Sequence, residues 1–359
     1  MTLVSPTIAQ QDGRLTVRTM VVDDSVVVRT VIERILNADP GFSVVHKTGS
    51  AEHALGYLAE HGVDLILLDI ELPGQSGLAA LPALLRANPR GKIVILSGNC
   101  GEGSAAAVEA LALGASDILA KPGSGSFGEQ FPRSLIDRLS RLFGGRETAS
   151  SNEAPVIAVN PNRPQAPLAC LGVGASTGGI HALGQLFAGL TEPLGVPILL
   201  TQHLPVSFTC YFAQQLARMT SLRVKVAEQG EMLAPDVVYV APGDANLLVR
   251  RSLHGRVMIM LDDQRTPAGN LPGVDPMFAS MAEAYGKGAA GIVLTGMGRD
   301  GTMGAREIVA AGGWIVAQNE ASSVVWGMPG SVAGAGLSCA LLEPYAIMEF
   351  VARRGKSRG

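Results

Sequence analysis

Cysteine is scarce in this chain. Cys100, Cys170, Cys210 and Cys339 are the only four, and none forms a CxxC or a Cys/His ligand spacing. That pattern excludes a disulfide framework and a zinc ribbon, and it reads as small apolar residues kept reduced. An excess of one charge is also lacking: 28 Lys+Arg stand against 31 Asp+Glu, a net charge of -3. No basic surface for nucleic acid is therefore expected. Long apolar runs are absent too. Stretches such as Leu65-Ile66-Leu67-Leu68 are far too short to span a bilayer. Residues 1–18 include Gln10, Gln11, Asp12, Gly13 and Arg14 and hold no apolar signal core. A soluble, cytoplasmic protein without membrane insertion is expected, compatible with action on the cytoplasmic part of a membrane protein.

What is present is apolar and patterned. Hydrophobic residues make up 47% and charged residues 16% of 359 positions, enough for two or three domains with cores of their own. In the first half, strand patterns at 17–22, 43–46, 64–68, 92–96 and 117–120 alternate with helical periodicity at 26–37, 50–60, 78–87, 104–113 and 129–143. Five strands alternating with five helices predict a doubly wound α/β domain over 17–143. Residues 1–16 form an extension. Residues 144–166, rich in Gly, Ser, Asn and Pro, read as a linker.

The second half, 167–352, repeats the α/β alternation. Strands are expected at 168–173, 196–201, 224–227, 291–295 and 314–317. Helices are expected at 179–188, 208–219, 274–285 and 302–311. Segments 237–241, 247–250 and 257–261 read as an antiparallel hairpin insert. Residues 353–359 form a basic tail.

Each half carries polar residues just past its apolar strands. In the first these are Asp23, Asp24, Asp69 and Lys121. A parallel sheet gathers its strand C-termini at one edge, where ligands bind. Three carboxylates together repel one another unless a cation joins them. An all-oxygen cluster suits Mg²⁺, which would orient a phosphoryl donor and neutralise charge during transfer to one carboxylate. Lys121 supplies a point charge for the new phosphate, and Ser97, at the end of the fourth strand, supplies a hydroxyl. The segments Val21-Val22-Asp23-Asp24-Ser25, Leu68-Asp69-Ile70-Glu71-Leu72-Pro73 and Ala120-Lys121-Pro122 resemble a response-regulator receiver domain over about 17–143. The resemblance implies a flavodoxin-like five-stranded parallel sheet. It also implies phosphorylation of Asp69, metal binding by Asp23, Asp24 and Asp69, and a metal ligand from the Ile70 backbone carbonyl. The chain departs from the family at Gly74-Gln75-Ser76-Gly77, and at Ile118, where an aromatic residue is common.

In the second half Gly174-Ala175-Ser176-Thr177-Gly178-Gly179 links a strand to a helix. Its glycines permit close approach of a substrate, and the helix N-terminus offers N–H groups to a developing oxyanion. A serine hydroxyl needs a base. His181 lies five residues along the helix, on another face, and His254 sits in the hairpin turn. His203 follows a parallel-type strand at the edge where Ser176 must lie. Asp300 follows another strand at that edge and would hold the imidazole tautomer. Asp275 is the alternative acid, more simply read as a helix N-terminal cap. The turn matches G-x-S-x-G literally, but the order Ser…His…Asp differs from that of α/β-hydrolases.

A competing reading takes Gly296-Met297-Gly298-Arg299-Asp300-Gly301 as a dinucleotide fingerprint with Glu320 as its acidic partner. It crowds a pyrophosphate with Asp300 and leaves Ser176 and His203 without a role. A non-catalytic signalling adaptor is the third class.

Segments 171–179, Thr201-Gln202-His203-Leu204-Pro205, Tyr239-Val240-Ala241-Pro242-Gly243-Asp244, 294–301 and Ala317-Gln318-Asn319-Glu320-Ala321-Ser322 resemble the chemotaxis protein-glutamate methylesterases. With the receiver in front, the resemblance spans nearly the whole chain. It implies hydrolysis of glutamyl methyl esters on chemoreceptor cytoplasmic helices with release of methanol, and deamidation of receptor glutamines. Ser176 maps to the nucleophile, His203 to the base, Asp300 to its orienting acid and the Met297 backbone amide to the oxyanion site. No cofactor is implied in this half, and a chemotaxis histidine kinase is the implied phosphodonor. The run from Ala268 to Asp275 lacks the family's His-Arg-Pro-Ser-Val-Asp.

Overall fold

Two separate parallel sheets form in the computed structural model, which describes residues 10–11, 14–97, 101–121, 130–143, 167–267 and 269–355. The chain divides between Glu147 and Thr148 into two units. The expected linker, 144–166, lies outside the described residues. So do most of the expected extension and residues 356–359 of the expected tail.

The parallel sheet of the first unit has strands β1 (Val17–Val22), β2 (Phe42–Thr48), β3 (Leu65–Asp69), β4 (Lys92–Ser97) and β5 (Asp117–Ala120). They pair in the order β2-β1-β3-β4-β5, all parallel. Every residue of β3 is buried, which is why its sequence is a continuous apolar run rather than an alternation. The helices are α1 (Val26–Asn37), α2 (Ala51–Leu58), α3 (Gly77–Ala87), α4 (Gly101–Leu113) and α5 (Gln130–Phe143). Ser25, Ser50 and Ser76 cap the first three; each hydroxyl accepts an N–H that the helix leaves unpaired. Helix α1 buries Ile32, Ile35 and Leu36, the i, i+3, i+4 stripe of an amphipathic helix.

The second unit holds a seven-stranded sheet, two strands more than the five that the sequence patterns suggest outside the insert. Its strands are β6 (Cys170–Ala175), β7 (Ile198–Gln202), β8 (Arg223–Val226), β9 (Val237–Val240), β12 (Ala289–Val293), β13 (Trp314–Gln318) and β14 (Ser338–Leu342). The hairpin is β10 (Asn246–Arg251) with β11 (Val257–Asp262). The sheet order is β8-β9-β7-β6-β12-β13-β14, all parallel. The helices are α6 (Gly179–Ala188), α7 (Val206–Met219), α8 (Val274–Tyr285), α9 (Thr302–Ala310), α10 (Met328–Gly334) and α11 (Pro344–Gly355).

Three expectations change. Val237–Val240 does not belong to the insert: it pairs in parallel with β7 and β8, and all four residues are buried. A run buried on both faces is the mark of a central parallel strand, whereas the hairpin strand β10 ends in exposed Arg250 and Arg251. Strand β14 with helices α10 and α11 continues the sheet beyond 317; β14 is an edge strand of mixed exposure and gives a weak pattern. Arg353 and Arg354 belong to α11 rather than to a tail. The Arg354 guanidinium lies 5.0 Å from the Trp314 ring centre and 5.2 Å from that of Phe350.

Helix α8 lies against the middle of this sheet because the strands give it room. A Cβ on Gly172 would sit 2.8 Å from the Phe278 ring, and one on Gly291 3.0 Å from it. Phe278 and Met281 are fully buried there. That packing fixes where α8 begins, next to the loop that follows β12.

Candidate functional site

The acidic edge of the first sheet is built from three strand ends. Asp23 follows β1, Asp69 closes β3 and Lys121 follows β5. The Lys121 ammonium stands 2.8 Å from Asp23 Oδ2 and 2.6 Å from Asp69 Oδ2. The remaining carboxylate oxygens accept backbone amides: Ser25 N–H donates to Asp23 Oδ1 (2.9 Å) and Glu71 N–H to Asp69 Oδ1 (3.2 Å). Asp24 is exposed at the rim. One carboxylate oxygen from each of Asp23, Asp24 and Asp69 lies within 4.8 Å of the others. The Ile70 carbonyl accepts Gly77 N–H (2.9 Å) and keeps a second lone pair. Ser97 is buried at the end of β4, and its carbonyl accepts Lys121 N–H (2.7 Å).

Burial pushes the Asp69 carboxyl up, and the Asp23 charge adds to it, against the hydrogen bond and charge of Lys121. Burial acts to lower the Lys121 ammonium, but its close contacts with the Asp23 and Asp69 carboxylates outweigh burial and raise it. Asp23 Oδ2 is buried with no hydrogen bond of acceptable geometry, only the ammonium charge beside it. A carboxylate oxygen left so, among three acids, fits an oxygen-coordinated divalent cation. Sequence reasoning passed over Arg29. From α1 it donates to the carbonyls of Asp23 and Asp24, the latter at 3.1 Å, and so fixes the acidic pair from behind.

The second edge gathers residues from β6, β7 and β12. Ser176 directly follows β6; its N–H donates to Thr295 O (3.1 Å), and its carbonyl accepts Gly179 N–H (2.8 Å) and Gln202 Nε2–H (2.9 Å). Gly178 turns the chain at φ +75°, and α6 starts with no side chain capping it; its first amide, Gly179 N–H, is taken by the Ser176 carbonyl. His203 N–H donates to Ala175 O (3.1 Å), which brings the β7 exit alongside the serine. Gly296 passes so close that a Cβ there would sit 2.7 Å from Ser176 Cβ; Met297 comes next in the chain.

His203 Nε2 and Asp300 Oδ2 are 2.7 Å apart although 97 residues separate them. The Asp300 side chain is 1% exposed and that of His203 17%. Asp300 also accepts Val274 N–H (2.8 Å), Asp275 N–H (2.9 Å) and Gly301 N–H (2.9 Å). Burial alone would raise this carboxyl. The hydrogen bond and charge of His203, with the amides of Val274 and Asp275, overrule burial and hold it below the usual carboxylate range. An ionised Asp300 takes the proton-bearing Nε2 and leaves Nδ1 as the basic nitrogen of the ring.

Asp275 does not cap its own helix. Gly273 is the N-cap of α8, Asp300 accepts the first α8 amides, and Asp275 Oδ1 accepts Gly304 N–H (2.8 Å) at the start of α9. Burial first, and then the Asp300 charge, push its carboxyl up. Of this acid pair Asp300 carries the charge, because it has more donors. A carboxyl raised in the folded state costs stability as pH climbs from the unfolded carboxyl value towards the raised one. Asp275→Asn keeps the acceptor for Gly304 and cannot ionise. It is expected to flatten the fall in urea midpoint across that window; an unchanged slope would contradict the assignment.

The other candidates fall elsewhere. His181 bonds Gln185 (3.1 Å) on the α6 surface, and His254 is exposed in the hairpin turn. Glu320 is exposed, and the α9 N-terminus of the Gly296–Gly301 loop is already occupied by Asp275, so a pyrophosphate there would meet two carboxylates. A cavity of about 360 Å³ beside Asp275, Met303 and Glu307 is lined by none of Ser176, His203 and Asp300, so the reacting group is not placed in it.

Residues 171–351 match the family model for CheB methylesterase, and residues 19–126 that for the response regulator receiver domain. The chain belongs to the CheB methylesterase family. It is 40% identical over 345 residues to protein-glutamate methylesterase/protein-glutamine glutaminase 2 of Caulobacter vibrioides, covering 95% of this chain and 99% of that one. It is 37% identical over 377 residues to protein-glutamate methylesterase/protein-glutamine glutaminase 1 of Paramagnetospirillum magneticum, covering 94% of this chain and 97% of that one. The crystal structure of the Thermotoga maritima CheB methylesterase catalytic domain superposes on it with a TM-score of 0.50 at 34% identity, over 53% of this chain and all of that one. The α/β architecture with a receiver ahead of a hydrolase half is thereby established. Nothing found supports a dinucleotide oxidoreductase. Among the described residues no helix is long and apolar enough to cross a membrane.

Proposed function

We propose that this methylesterase hydrolyses glutamyl methyl esters on the cytoplasmic helices of chemoreceptors and deamidates receptor glutamines, acting in the cytoplasm under control of phosphorylation at Asp69. The observation that carries the hydrolase chemistry is the 2.7 Å contact between His203 and a buried, ionised Asp300, at the sheet edge where Ser176 leaves β6. In this reading Ser176 Oγ attacks the ester carbonyl while His203 Nδ1 takes its proton. Asp300 stabilises the imidazolium and fixes its tautomer. The Met297 amide and the uncapped α6 N-terminus receive the oxyanion. His203 then returns the proton to the leaving methoxide, methanol departs, and water cleaves the acyl-serine by the same route. An amide substrate loses ammonia in place of methanol.

In the receiver unit Asp69 takes the phosphoryl group from a chemotaxis histidine kinase. Asp23, Asp24, Asp69 and the Ile70 carbonyl would hold Mg²⁺, which supplies charge neutralisation for the phosphoryl group when bound. Lys121 bridges Asp23 and Asp69 and would exchange one of those contacts for a phosphate oxygen; Ser97 would donate its hydroxyl to another. Phosphorylation then releases a restraint that the receiver places on the hydrolase half.

The test is methanol release from methylated receptor fragments by the full chain, with and without Mg²⁺ and a small phosphodonor. Wild type is expected to accelerate by roughly ten-fold or more, a shift of about 1.4 kcal/mol or more between restrained and released states. Asp69→Asn is expected to keep the basal rate and lose the response. No methanol from wild type under any condition would sink the esterase reading. An equal response in Asp69→Asn would remove Asp69 as the acceptor.

A further inference from the structure

Below the catalytic turns lies a polar assembly, buried at its centre, that the hydrolytic steps do not use. Thr295 follows β12 and Gln318 closes β13; each is 1% exposed. Gln318 Oε1 accepts Thr295 N–H at 2.7 Å. The Thr295 hydroxyl accepts Val325 N–H (3.0 Å), and its single proton is shared between Thr177 O (3.0 Å) and Val325 O (3.1 Å). The Thr295 carbonyl accepts Ser176 N–H. Gln318 is held in turn: its Nε2 donates to Ser322 O (2.8 Å) and Ser322 Oγ (3.1 Å), and its carbonyl accepts Trp326 Nε1–H (3.1 Å). The segment after Val325 closes the assembly, with Gly296 N–H donating to Val325 O (3.0 Å) and Met328 N–H to Gly296 O (2.9 Å).

One residue thus touches both halves of the catalytic geometry. Thr295 bonds the backbone on either side of the nucleophile, Ser176 N–H and Thr177 O, and is itself one step from Gly296 and two from Met297. Packing alone does not require this. Valine has nearly the same volume and would fill the place without desolvating a hydroxyl. What a hydroxyl adds is direction, since it sets the serine turn and the oxyanion turn in one hydrogen-bonded frame. Gln318 fixes the height of that frame by holding Thr295 N–H.

We propose that Thr295 and Gln318 are positioning residues that lock the Ser176 turn to the Met297 turn. The inference rests on the serine-hydrolase reading above. Misplacing reacting groups by about 1 Å costs on the order of 100-fold in rate, so the effect belongs in kcat and not in KM. Thr295→Val is expected to lower kcat for methanol release by about 10- to 100-fold with KM unchanged within about two-fold. Phosphonylation of Ser176 by a fluorophosphonate is expected to slow in parallel. In that probe reaction the serine oxygen bonds phosphorus, fluoride leaves and His203 takes the proton, so it reads the nucleophile without the receptor. Thr295→Ser keeps the hydroxyl and is expected to recover to within about three-fold of wild type.

The full chain is used throughout, with Ser176→Ala as reference. Wild-type kcat and labelling in a folded Thr295→Val protein would overturn the inference, as would Thr295→Ser no better than Thr295→Val, or a defect confined to KM. If Thr295→Val does not fold, Gln318→Met decides on the same readouts: a loss in kcat and labelling sustains the inference, and wild-type values overturn it. A Ser176→Ala protein that still turns over would sink the serine reading itself, a result distinct from any of these.

Discussion

Ser176→Ala is expected to reduce methanol release by about 10⁴-fold or more, to the level that binding and the oxyanion site sustain alone. The loss is that large because the hydroxyl forms and breaks the covalent bond. The change should leave the fold intact. Ser176 holds its neighbours through its backbone, with N–H on Thr295 O and the carbonyl on Gly179 N–H and Gln202, and alanine keeps all three bonds. The thermal midpoint is therefore expected to stay close to wild type, with a change of about 0.5 kcal/mol or less. Methanol quantified from methylated receptor fragments, beside a thermal melt, makes the check. Turnover above a tenth of wild type in the folded variant would dismiss the serine as nucleophile.

Asp300→Asn is expected to lower kcat by about 10³- to 10⁴-fold and also to destabilise the protein. The carboxylate accepts four donors: His203 and Val274 at Oδ2, Asp275 and Gly301 at Oδ1. An asparagine has one acceptor oxygen. If that oxygen stays with Asp275 and Gly301, its NH₂ points at Val274 N–H, donor against donor, and His203 Nε2 must become an acceptor. The ring proton then sits on Nδ1, the nitrogen that should take the proton from Ser176. The flipped amide keeps His203 but strands two backbone N–H groups in a buried site. Each lost bond to a charged acceptor is worth about 1.5–3 kcal/mol, so the urea midpoint should fall together with the activity. Asp300→Asn with activity within ten-fold of wild type, while Ser176→Ala is inactive, would show that the imidazole needs no orienting acid.

These two variants separate what the chain order reveals from what geometry adds. The triad positions are legible because each lies within a few residues of the end of an apolar run, and parallel strands deliver such residues to one edge. The receiver acids are legible for the same reason. Arg29, Gln202, Thr295 and Gln318 are not. Gln202 and Gln318 stand inside motif segments, yet an isolated glutamine carries no signal that its amide will be buried under a serine turn. Val237–Val240 reads as part of the insert because it adjoins the hairpin in the chain, although its unbroken apolar run is that of a central strand, and β14 gives no clear pattern because a half-exposed edge strand shows little periodicity.

Local sequence determined that this chain builds two parallel α/β units and which hydroxyl, imidazole and carboxylates end up past their strands. Apolar periodicity and glycine turns are short-range properties written residue by residue. Only the folded state decided that Asp300 faces Nε2, that it rather than Asp275 holds the charge, and that Thr295 joins two turns. Those outcomes depend on which donors converge in a buried space, and convergence across 23 to 118 residues of separation is a property of packing, not of neighbours in the chain.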